Sequence, residues 1–133
     1  MSLEDRLRPP PSARNRGPEQ LVNLIAAAKA LREEPHPGRD GHRQIGLIHR
    51  EHMRAVLFAF DSGGRLPEHS APGLVTIHVL TGHLHVTTPA DSYDLGPGRM
   101  LVLEPDVAHD IEAPEQSDML LTVHLDGVGS GVP

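Results

Sequence analysis

The sequence predicts an all-β fold: an antiparallel jelly-roll barrel preceded by one N-terminal α-helix. Three observations lead there. The spacing of apolar residues changes from helical before Gly41 to alternating after it. About eight short strand-like runs then follow, separated by turn clusters such as Gly63-Gly64, Pro72-Gly73, Thr81-Gly82 and Gly96-Pro97-Gly98. The 133 residues include 13 glycines and 13 prolines, and so turn-rich a chain suits a sandwich or barrel. Its length is that of a single domain with one core.

The elements follow in order. Residues 1–17 hold Arg6, Arg8, Pro9, Pro10, Pro11, Arg14 and Arg16, and read as an extended, solvated arm. Helix and linker occupy 18–41. Gly17 is the expected cap, Pro18 suits the first helical position, and Glu19 favours the positive end of the dipole. Leu21, Leu24, Ile25, Ala28 and Leu31 recur at helical spacing as one apolar stripe, and Pro35 ends it. His36 and His42 read as exposed loop residues. The barrel spans 42–126, with strands expected at 44–49, 53–60, 74–80, 83–88, 92–95, 100–103, 109–113 and 118–125. Residues 127–133 are a Gly-rich tail expected to fray.

Thr81-Gly82 reads as a tight hairpin turn. Such a hairpin pairs Leu80 with His83, Val79 with Leu84, His78 with His85 and Ile77 with Val86. Paired residues share a face, so Val75, Ile77, Val79, Leu84 and Val86 form a core face. The opposite face is half polar, with Thr76, His78, Leu80, His83, His85 and Thr87. In this pairing His78 and His85 are cross-strand neighbours, with Cβ atoms roughly 5 Å apart. His78, His83 and His85 are therefore an alternative metal site on the outer surface, competing with the simpler reading of a solvated histidine cluster. The same parity points His124 outward and His109 inward. Residues 53–60 are apolar on both faces near their end, which calls for a second layer from the helix or from a partner subunit. A homodimer is expected on that ground, with Leu80 at the same interface.

Composition narrows the chemistry. A formal charge of −6 and an aromatic content of 2% argue against nucleic acid, which rewards basic patches and stacking rings. No run reaches the roughly 18 apolar residues of a membrane span, and the N-terminus lacks a signal-peptide core, so a cytoplasmic protein with no membrane partner is expected. Without cysteine there is no thiolate nucleophile and no disulfide. The serines lack a nucleophile elbow, and Lys29, the only lysine, lies in the helix.

His69, in Leu66-Pro67-Glu68-His69-Ser70-Ala71-Pro72-Gly73, and His109, in Leu103-Glu104-Pro105-Asp106-Val107-Ala108-His109, each follow a Pro-containing turn beside an apolar run. Histidine is the commonest metal ligand, and loops on a rigid scaffold are where site residues gather. The segment 64–82 resembles the first motif of the cupin superfamily and 98–113 its second, and the likeness covers roughly residues 44–125, as a small single-domain RmlC-like cupin. The resemblance gives His69 the first histidine position of motif one, Gly82 its glycine and His109 the histidine of motif two. Ala71 and Val75 stand where that motif has a second histidine and an acidic residue, and Arg99 where an acidic residue is common. Glu68 is adjacent to His69 in sequence, and Glu104 precedes Pro105 and is a second carboxylate that could turn inward. What the resemblance implies is a small-molecule ligand in the barrel near His69 and His109. A divalent transition metal (Fe, Mn, Ni or Zn), if held there, would be bound weakly through these two histidines. The activity implied is unassigned. A metal-dependent oxygenase or isomerase, and a non-catalytic sensor or structural dimer, are the alternatives.

Overall fold

A computed structural model describes residues 18–35 and 39–125. The expected arm at 1–17, His36 and the tail at 127–133 lie outside the described residues. One helix, α1 (Leu24–Arg32), precedes nine strands: β1 (His42–His49), β2 (Met53–Phe60), β3 (Gly64–His69), β4 (Leu74–Thr81), β5 (Leu84–Thr87), β6 (Ser92–Leu95), β7 (Met100–Leu103), β8 (His109–Ala113) and β9 (Ser117–His124). They form a five-stranded sheet, β1-β2-β9-β4-β7, and a four-stranded sheet, β3-β8-β5-β6, with every pairing antiparallel. This is the jelly-roll architecture expected, with one strand more than the sequence reading.

The added strand is β3, where Gly63-Gly64 and Pro67 read as turn signals. An edge strand tolerates proline because its outer N–H groups have no ladder partner to lose. The helix begins later than expected. Asn23, not Gly17, is the N-cap, and its side-chain oxygen accepts a 3.0 Å bond from the Ala26 amide. Asparagine is among the strongest caps because it satisfies an otherwise orphaned amide. Of the expected stripe, Ala28 and Leu31 are buried, whereas Leu21 and Ile25 stay 98% and 85% exposed.

Between the sheets lies an apolar core that includes Phe58, Phe60, Val75, Ile77, Val79, Leu84, Val86, Ile111, Met119 and Leu121. A second cluster sits outside the larger sheet, where Ala28 and Leu31 of α1 cover Leu57 and Ala59 of β2, with Leu80 packed against them. The helix therefore supplies the second layer that β2 calls for, from within the chain. Arg32 fastens its end, donating to the Phe60 and Ser117 carbonyls and to the Asp118 carboxylate at 2.6 Å. His42, read as an exposed loop residue, is instead buried at the start of β1. Its Nδ1 meets the Arg65 carbonyl, its Nε2 meets Gln44, and its ring packs on Phe58 and Phe60.

The hairpin at Thr81-Gly82 does not exist. β4 pairs with β7 and β9, and β5 pairs with β6 and β8, so the chain crosses from one sheet to the other at this point. The buried Ser117 hydroxyl accepts from the His83 amide at 2.9 Å and lies 3.0 Å from the His83 carbonyl, groups that a hairpin would have paired with Leu80. The face assignment survives all the same. Both sheets turn their apolar side to one interior, and Val75, Ile77, Val79, Leu84 and Val86 are all buried.

Gly82 has φ of +84°, and a Cβ there would stand 2.2 Å from Ser117 Oγ. Gly96 has no neighbour within 4 Å of such an atom. Gly82→Ala is therefore expected to destabilise the fold by more than the roughly 1–2 kcal/mol of a left-handed non-glycine residue. Gly96→Ala should fall within about 0.5 kcal/mol of the parent. Urea unfolding of the two variants checks the contrast.

Candidate functional site

The site is built where the last residue of β3 meets the first of β8. The register runs Gly64 to Ala113, Arg65 to Glu112 and Leu66 to Ile111, then shifts so that His69 lies opposite His109. Three steps along β3 match two along β8, so β3 carries one extra residue between Leu66 and His69. Simple alternation from Leu66 would have turned Glu68 toward His109. Such a bulge re-aims a side chain, and Pro67, which has no N–H to donate, stands at the break. As a result His69 faces His109, with ring centroids 4.2 Å apart in an edge-to-face arrangement. Glu68 is left exposed, as is Glu104. The loop before β8 is held against the first motif by the Asp106 amide, which donates to the Ala71 carbonyl at 2.8 Å.

Both rings are oriented by their own strands. His69 Nδ1 lies 3.0 Å from the Pro67 carbonyl, and His109 Nδ1 lies 3.0 Å from the Val107 carbonyl. A carbonyl oxygen only accepts, so each Nδ1 must carry the hydrogen, and in the neutral ring each Nε2 keeps its lone pair. His109 is 1% exposed, and its Nε2 is buried with no hydrogen-bond partner. Burial pushes the His109 imidazole below its ordinary value. The Val107 hydrogen bond opposes that shift, and the nearby His69 adds to it. The buried ring is thus disposed to stay neutral, as an acceptor.

Two residues after His69 the chain carries only a methyl group, at Ala71. Ala71 is half-buried against the core and Val75 lies within it. Among the described residues, no group of three or more His, Asp and Glu side chains stands ready to hold a metal ion. The expected outer cluster of His78, His83 and His85 is divided between the sheets. His78 lies on β4 between Met100 and Leu120, while His83 and His85 flank Leu84 at β5. His78 and His85 are not cross-strand neighbours, because β4 and β5 never pair. The partner of His85 is Asp94 of β6, at 2.7 Å. The link is the local pairing of the consecutive strands β5 and β6, which the turn between Thr88 and Asp91 closes.

The lowered His109 value has a consequence for stability. The unfolded chain binds a proton near the ordinary imidazole pKa of about 6.5, and the folded chain resists that proton. This contribution is fully present above that value and is lost as pH falls below it. The melting temperature should therefore drop from about pH 7 to about pH 5. The drop should be shallower in His109→Gln, which has no imidazole to protonate; identical slopes would count against the desolvated ring.

The cupin-domain family model matches residues 56–125, more than half of the chain. No curated protein matches it significantly. Among solved structures it is similar to a cupin superfamily protein from Desulfitobacterium hafniense (23% identity, TM-score 0.63, 71% of this chain and 93% of the other). It is also similar to a conserved protein of unknown function from Streptococcus pyogenes (23% identity, TM-score 0.65, 83% and 90%). An RmlC-like cupin from Shewanella frigidimarina is a third (21% identity, TM-score 0.62, 69% and 83%). At these identities the structural likeness is one of fold, and it agrees with the family match from within β2 to the end of β9. No described helix is long and apolar enough to cross a membrane. On the sequence match and the two-sheet architecture together, the chain belongs to the cupin family.

Proposed function

We propose that the barrel end around His69 and His109 binds a small molecule that donates a hydrogen bond to imidazole, without a tightly held metal. The buried, unpartnered Nε2 of His109 carries this reading. Leaving a buried acceptor unpaired costs about 1–3 kcal/mol, and a native orphan of this kind calls for an explanation. A ligand that completes the pairing is one. Because Nδ1–H is committed to Val107, Nε2 only accepts, so the ligand brings an O–H or N–H rather than a carboxylate or phosphate oxygen. Ala71 and Val107, partly buried against the core, each lie two residues from a histidine of the pair in sequence and favour an apolar body for that ligand.

The residues present do not fit a resident metal. Two imidazoles supply only part of a coordination sphere, and Ala71 and Val75 offer no ligand atom. Glu68 and Glu104 face solvent and do not make up the shortfall. The same shortfall weighs against a metal-dependent oxygenase or isomerase and favours a pocket that senses or carries its ligand.

A thermal-shift screen of untagged protein against small neutral alcohols and phenols, with their matched carboxylates, tests this reading. Alcohols or phenols should raise the melting temperature of the parent and have no such effect on His109→Phe. Carboxylates should have no effect on either. Hits confined to carboxylates, hits that persist in His109→Phe, or a stoichiometric Fe, Mn, Ni or Zn ion lost on His69→Ala would each overturn it.

A further inference from the structure

The outer face of the four-stranded sheet carries a second group of ligating side chains. His83 and His85 are two residues apart, flanking the buried Leu84, so both rings stand on the outer face. The register of β5 with β6 places Asp94 opposite His85, and that of β5 with β8 places Glu112 opposite it on the other side. Asp94 Oδ1 lies 2.7 Å from His85 Nδ1 and 3.7 Å from His83 Nε2, so two imidazole nitrogens already converge on one oxygen. These residues line an open cleft of about 500 Å³ that also includes Gly63, Gly64 and Arg65.

We propose that His83, His85 and Asp94 form a surface site for one first-row transition-metal ion of the Zn²⁺ or Ni²⁺ type, separate from the barrel pair. Imidazole nitrogens select such ions over Ca²⁺ and Mg²⁺, which prefer all-oxygen sites. The electrostatics agree. Two carboxylates, Asp94 and Glu112, face the single guanidinium of Arg65, so the cleft is net negative while the imidazoles are neutral.

The three groups are not a ready-made cage, because Asp94 stands between the rings where the ion would sit. All three side chains are solvent-accessible, and binding requires them to turn. Binding exchanges the His85–Asp94 hydrogen bond for bonds from both residues to the ion. The proton on His85 then moves to Nε2, and water completes the coordination.

Calorimetric titration of untagged protein with ZnCl₂, NiCl₂ and CaCl₂ tests the site. One Zn²⁺ or Ni²⁺ per chain is expected at the cleft, with no response to Ca²⁺. His85→Ala should abolish the binding, and Asp94→Asn should weaken it about tenfold or more. Glu51→Gln, which removes an exposed carboxylate elsewhere, and His69→Ala should leave it unchanged. Circular dichroism confirms that each variant is folded. No Zn²⁺ binding by the parent, binding that survives His85→Ala, or binding abolished by His69→Ala would overturn the proposal.

Discussion

One extra residue in β3, between Leu66 and His69, sets which side chain faces His109. Without it, strand alternation would bring Glu68 to that place, and the barrel end would hold an imidazole beside a carboxylate. With it, two imidazoles meet edge to face and the carboxylate is turned to solvent. The pairing of the two imidazoles follows from this register. A carboxylate beside His109 would have raised its affinity for protons and offered an oxygen to a metal. A second imidazole does neither.

The two carbonyls that hold the rings work in the same direction. Each accepts from an Nδ1 two residues further along the chain, which fixes the ring orientation and leaves Nε2 as the acceptor in the neutral form of each ring. In metal-binding proteins the same second-shell contact readies a histidine for coordination. Here that contact is present, and Ala71 and Val75 offer no ligand atom.

The fold was legible where one physical signal dominated. β2, β6, β7 and β8 have the bounds that apolar patterning and turn residues indicated, and the inward set Val75, Ile77, Val79, Leu84 and Val86 follows from alternation alone. Long-range pairing was not legible. Thr81-Gly82 has the residues of a hairpin turn, and only the Ser117 hydroxyl, 34 residues away from His83, satisfies the crossing instead. β3 was hidden by Pro67, whose cost vanishes at a sheet edge. His42 was misplaced because a histidine after a Gly- and Pro-rich linker reads as solvated, while its burial depends on Phe58 and Phe60 across the sheet. At the site, His69 and His109 were found from their turns and their likeness to family motifs. The absence of a carboxylate between them depends on the bulge, which pattern alone does not place.

The most direct measurement is the tautomer of the two histidines, read from long-range ¹⁵N–¹H correlations of the imidazole rings at about pH 7. The account predicts a neutral His109 with its hydrogen on Nδ1 and a bare Nε2, and His69 with its hydrogen likewise on Nδ1. A His109 protonated on Nε2, or present there as an imidazolium, would contradict it, because the buried acceptor on which the binding site rests would not exist.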